Sequence, residues 1–303
     1  MRKFFRSLGL IITFPFRAIW WIINLPVRAF RSARDFLVTE PDEHPLGEVI
    51  SDLVRDEQAR NMFWEQIEIF RAHLLRSVIA IAIGVGITLY FTPKIVDFLA
   101  VPIHGIGSLR AIEVTESISV YMKVSLLGGI AIALPYVVFE LWLFIAPGLR
   151  PRERMYGLIG IPLAVVFFVG GMAFTYFVVL PSALPFLLGI LGIQAQLRPD
   201  SYFSFVTGLM FWVGVAFEFP LIIYLLTALG FVKPQPLLRN WRIAVVVIAV
   251  IAAAVTPTVD PLNMSLIMLP MIGLYFLGIG FSFFAYRERK RPAEQKQAQE
   301  AAK

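Results

Sequence analysis

Six apolar runs, each ended by a turn signal, carry most of this chain. They are Leu74–Phe91, stopped by Thr92-Pro93; Val124–Ala146, closed by Pro147-Gly148; Tyr156–Leu180, closed by Pro181; Phe203–Phe231; Ile243–Val255, closed by Thr256-Pro257; and Leu266–Ala285. A membrane-spanning helix needs about 20 mostly apolar residues, so the pattern predicts six spans. The fifth run is short. Its 13 residues make about 20 Å of helix against a hydrocarbon core of about 30 Å, so it must thin the bilayer or pack inside the protein. The stretches 93–119 and 181–202 are long, hold Gly and Pro, and read as structured caps with short helices. No internal repeat is evident.

An even number of spans puts both termini on one side. The loops and tail on that near side hold twelve lysines and arginines, and the opposite loops hold only Lys94, Arg110 and Arg198. The excess predicts cytoplasmic termini in a multi-pass protein of the plasma (inner) membrane. Residues 1–39 carry a net +6 with many aromatics, interrupted by Arg17, Pro15 and Pro26. They read as a basic segment lying in the membrane interface. A cleaved signal peptide is the rival, but no small-residue cleavage site ends the apolar stretch. Residues 40–60, net −5, read as an acidic linker. Residues 61–291 form the membrane domain, and 292–303 a disordered cytoplasmic tail.

Composition agrees with this class. Across 303 residues, 58% are hydrophobic and 16% charged, against about 45–50% and about 25% in soluble domains. The absence of cysteine excludes disulfides, thiol catalysis and zinc–thiolate or iron–sulfur sites. Three scattered histidines argue against a metal centre. The net charge of +6 fits cytoplasmic loops better than nucleic acid. No hydrolase, metalloprotease or P-loop motif occurs, so no enzyme and no cofactor is expected.

Candidate chemistry sits in a few ionisable groups. Glu218 lies midway along the fourth run in Phe217-Glu218-Phe219-Pro220. Pro220 removes a backbone hydrogen bond and kinks the helix beside a buried acid. That notch suits a polar group of a partner helix or a proton; it is also compatible with a carboxyl satisfied by neighbouring helices. Glu140 stands four residues before Phe144, on the same helix face. Arg150, Arg152, Glu153 and Arg154 crowd the 2–3 loop, where a carboxylate could receive a guanidinium bidentately or simply pair within the loop. Glu65, Glu68, Arg71 and His73 precede the first span, with Glu68 and Arg71 three apart. Asp260 reads as a cap for the sixth helix.

Taken together, the motifs resemble the TatC family, the receptor subunit of the twin-arginine protein translocase. The resemblance runs from about Phe63 to Arg291. It rests on Thr115-Glu116-Ser117 with Tyr121–Leu126, on Leu134-Pro135 through Phe139-Glu140 to Phe144-Ile145-Ala146-Pro147-Gly148-Leu149 followed by Glu153-Arg154, on Phe174–Pro181, Tyr202–Val206 and Phe217–Pro220, and on Thr256-Pro257 with Asp260 and Leu269-Pro270. It implies a glove-shaped all-α bundle of six transmembrane helices with a concave face and short fifth and sixth helices. It also implies recognition of twin-arginine signal peptides on folded cargo, assembly with single-span TatA/TatB-type subunits into an oligomeric receptor complex, and export driven by the proton-motive force. Signal binding falls to Glu153, Glu68, Glu65, Glu140, Phe144 and Arg154, and partner-helix contact to Glu218, Pro220, Thr256 and Asp260. Two departures are visible. The acid before the first span stands one position back, in Gln66-Ile67-Glu68-Ile69-Phe70-Arg71, a rotation of about 100°, which leaves Glu65 as a rival. Glu140 replaces the Gln frequent in the family. The competing reading is a proton-coupled small-solute transporter using Glu218; such folds show related halves, which are not seen here.

Overall fold

The structure, a computed structural model, describes residues 57–149, 151–189, 197–255 and 261–301. The expected interfacial segment 1–39, nearly all of the linker, and Thr256 and Asp260 lie outside the described residues. Everything described is helix or short connection. The elements are α1 (Glu57–Ala100), α2 (Glu116–Ile145), α3 (Pro151–Phe174), a π-helical turn (Thr175–Val179), α4 (Leu180–Gly189), α5 (Pro199–Phe217), α6 (Phe219–Ala228), α7 (Pro234–Arg239), α8 (Trp241–Val255) and α9 (Pro261–Ala301). Five helical stretches are long and apolar enough to cross a membrane, and Trp241–Ala254 is a sixth, shorter one.

Three expected boundaries are corrected. The first helix does not stop at Thr92-Pro93. Proline removes a donor and disturbs the carbonyl four residues back, here that of Leu89, and the Tyr121 hydroxyl donates to that oxygen at 2.5 Å. Thr92 Oγ1 meanwhile donates to the Thr88 carbonyl at 2.8 Å, so α1 continues to Ala100. Nor does the third span end at Pro181. That residue lies inside one continuous helical stretch, just after the π-helical turn Thr175–Val179 that joins α3 to α4. The sixth helix, expected to be short, has 41 residues. It runs through the segment expected as a disordered tail, because Glu, Gln, Lys and Ala all favour helix once a span has nucleated it. The fourth span does break where expected: α5 ends at Phe217, Glu218 forms a tight turn with αR backbone, and α6 starts at Phe219 with Pro220 in its first turn.

The helices pack where small residues let backbones approach. A Cβ on Gly129 would lie 2.5 Å from the backbone N of Val85, and one on Gly171 2.9 Å from the Cα of Gly214. These contacts fix α1 against α2 and α3 against α5. One apolar core, including Leu99, Val124, Phe203, Val213, Ile267 and Ile279, ties α1, α2, α5 and α9 together. Buried tyrosines close helix ends: Tyr202 Oη donates to the Leu99 carbonyl at 2.7 Å and Tyr176 Oη to that of Phe98 at 2.8 Å.

Candidate functional site

At the near-side end of α1 and α2 lies a buried carboxylate. Glu140 is only 3% exposed. Its Oε1 accepts from Tyr136 Oη at 2.6 Å, and its Oε2 meets His73 Nδ1 at 2.5 Å. Arg76, more than half exposed, stands 3.8 Å from the same oxygen. Phe144 packs edge-on against Phe70 at 5.3 Å and against His73 at 6.2 Å. The four-residue spacing of Glu140 and Phe144 thus puts both on the α1-facing side of α2. His73 and Arg76 were the partners that sequence spacing could not supply.

After α2 the chain turns through Ala146–Gly148 into α3. Arg154, 3% exposed, holds that turn. Its Nε donates to the carbonyls of Ala146 at 2.8 Å and Leu149 at 2.9 Å, and its Nη2 to that of Pro147 at 3.2 Å. The Ala146 carbonyl also accepts from the Leu149 N–H at 3.0 Å, so the guanidinium reinforces the turn after α2. Burial pulls the Arg154 guanidinium below its ordinary pKa. The geometry makes Arg154 a clamp on its own backbone. Glu153 precedes it in the first turn of α3; the Glu153 side chain is outside the described residues. Glu65 and Glu68 stand exposed on α1, and Glu68 pairs with Arg71 at 3.8 Å, as the three-residue spacing predicts. Both side chains are exposed, so this pair adds little stability.

Glu218 occupies the break in the fourth span. Its Oε1 is buried and has no hydrogen-bond partner among the described residues, while the residue as a whole is half-buried. Pro220 is buried, and its Cα would lie 3.2 Å from a Cβ on Gly278 of α9.

A charged cluster missed by sequence reading lies at the opposite end. Glu116, 2% exposed, accepts on Oε1 from Arg198 Nη2 at 2.8 Å and from the backbone N–H groups of Ile112 and Glu113 at 3.2 Å. Arg198 also reaches Glu113 at 2.9 Å, and these two carboxylates hold its pKa above the ordinary value. Asp200 accepts from Lys123 and Ser119, both at 2.5 Å. The partners are about eighty residues apart in sequence, so no local spacing announces them.

Comparison with known proteins covers the same region. The family described as Sec-independent protein translocase protein (TatC) matches residues 65–270. The chain is 35% identical over 250 residues to the TatC protein of Koribacter versatilis, covering 79% of this chain and 90% of that one. It is 34% identical to that of Deinococcus radiodurans, covering 78% and 93%. A crystal structure of the twin arginine translocase receptor TatC superposes with a TM-score of 0.62 at 33% identity, over 73% of this chain and 99% of that one. Profile, relatives and fold converge on one conclusion: the chain is a multi-pass membrane protein of the TatC family, a component of the Sec-independent protein translocase.

Proposed function

We propose that this chain recognises the paired arginines of signal peptides on folded cargo and, with single-span TatA/TatB-type subunits in an oligomeric receptor complex, passes the cargo across the plasma membrane at the expense of the proton gradient. Both termini lie in the cytoplasm, which places Glu140, Glu153, Glu65 and Glu68 on the side where cargo is made. The observation that carries the reading is the buried Glu140 under its aromatic rim, at the same end of the α2–α3 hairpin as Glu153, in a chain that belongs to this family.

The physical logic is charge-assisted recognition in partial shelter from water. A guanidinium offers two parallel N–H groups to a carboxylate, and each desolvated pair contributes about 1.5–3 kcal/mol. Glu153 takes one arginine. Arg154 acts as a positioning residue, fixing the turn from which Glu153 projects. Arg76, loosely held beside Glu140, marks where a second guanidinium is accommodated, and Phe144 with Phe70 shields one side of it. Glu65 and Glu68 extend on α1 into water and guide the peptide by charge. Within the membrane, Glu218 in its helix break meets a polar group of a partner helix, with Pro220, Thr256 and Asp260 completing that contact.

The test is Glu153→Gln in the purified protein. Binding of a twin-arginine peptide is expected to be lost while the melting temperature stays put. Wild-type affinity in that variant removes Glu153 from the site.

A further inference from the structure

Beside the break at Glu218, α5, α6, α8 and α9 line an apolar groove of about 640 Å³, walled by Val215, Phe219, Ala244, Val247, Ile251 and Met271 among others. We propose that this groove holds one anionic glycerophospholipid, its acyl chains between the fourth and fifth spans and its phosphate on the arginines of the α7–α8 junction.

Length comes first. On α8 the groove runs from Asn240 to Ile251. That is about 16 Å of helix at 1.5 Å per residue, close to one leaflet, half of a hydrocarbon core of about 30 Å. The walls are almost wholly apolar, which suits acyl chains.

Charge identifies the headgroup. Lys233, Arg239 and Arg242 are exposed, each within three residues of Pro236 or Asn240, which line the groove. The sequence holds no acid between Glu218 and Asp260, and none of the three cations forms an ion pair among the described residues. Arg242 lies over the Trp241 ring, 5.8 Å from its centroid, and an indole at this level anchors the interface. Basic pockets between spans are suited to anionic headgroups. The site also answers a mismatch. With 15 residues, α8 measures about 22 Å, some 8 Å short of the hydrocarbon core, so the bilayer must be drawn in beside it. A lipid seated in the groove fills that shortfall from within the protein.

The experiment uses the full chain, delipidated in neutral detergent, with phosphatidylglycerol and phosphatidylcholine as probes and native mass spectrometry as the readout. One phosphatidylglycerol is expected to be retained in preference to phosphatidylcholine. Each cation near an anionic lipid surface strengthens binding about fivefold, so Arg239→Gln with Arg242→Gln should weaken retention about 25-fold. Val247→Trp, which fills the groove, should lower retention of either lipid. Both variants leave the near-side carboxylates untouched, so peptide binding is unchanged. Equal retention of both lipids by the wild type and the double variant overturns the proposal. So does a photocrosslinker at Val247 that, in native membranes, captures a protein helix instead of phospholipid.

Discussion

Arg154 shows how one side chain governs a functional turn. It donates to three carbonyls of the turn after α2, and hydrogen bonds from a charged donor are each worth about 1.5–3 kcal/mol. Arg154→Ala is therefore expected to cost roughly 3 kcal/mol or more in stability and to weaken peptide binding through the displaced Glu153. Arg154→Lys should not rescue it, because an ammonium lacks the planar fork; thermal melting of both variants decides this, and full rescue by lysine contradicts the clamp. Glu140 invites a different comparison. Glu140→Gln keeps an acceptor for Tyr136 and a polar group for His73, whereas Glu140→Leu strands both partners, at about 1–3 kcal/mol. A leucine variant that melts with the wild type would show that the trio does not hold α1 to α2.

At the scale of elements, the α1–α2 crossing depends on absent side chains. A Cβ on Gly129 collides with the Val85 backbone, while Gly86 has nothing within 4 Å. Gly129→Ala should therefore prevent recovery of folded protein, and Gly86→Ala should be silent, as monodispersity in detergent will report. The break at Glu218 makes a second prediction. Glu218→Ala should leave peptide binding intact but block transport, and Glu218→Gln should keep partial transport, since an amide also donates and accepts. If the two variants are equally inactive, proton uptake by the carboxyl explains the site better than helix docking.

The six spans and this break were legible in the sequence, because apolar runs and a mid-run Glu with Pro are local signals. The helix ends were not. Hydropathy marks where a helix meets lipid and says nothing of where it stops in water, so α1 and α9 outran their apolar runs. Pro93 failed as a stop because its remedy, the Tyr121 hydroxyl, comes from another helix. In the same way Glu140 and Phe144 were legible as a pair on one face. His73, 67 residues away, and the Glu116–Arg198 pair, 82 residues apart, depend on tertiary contact alone.

For the whole molecule, the charge bias predicts a side for every loop. The chain has no cysteine, so single introduced thiols report topology without background. Gln235→Cys in α7 should react with an impermeant reagent only from the cytoplasmic face, and Ser108→Cys in the opposite cap only from the other. Labelling of both from one face would refute the assigned orientation. The most direct test of the account asks whether the receptor reads arginine as arginine. Binding of a signal peptide to the purified wild-type chain is measured with the paired arginines intact and with both changed to lysine. Loss of the planar, bidentate fork predicts at least about tenfold weaker binding for the lysine peptide. Equal affinity for the two peptides would contradict carboxylate-guided recognition at the near-side site.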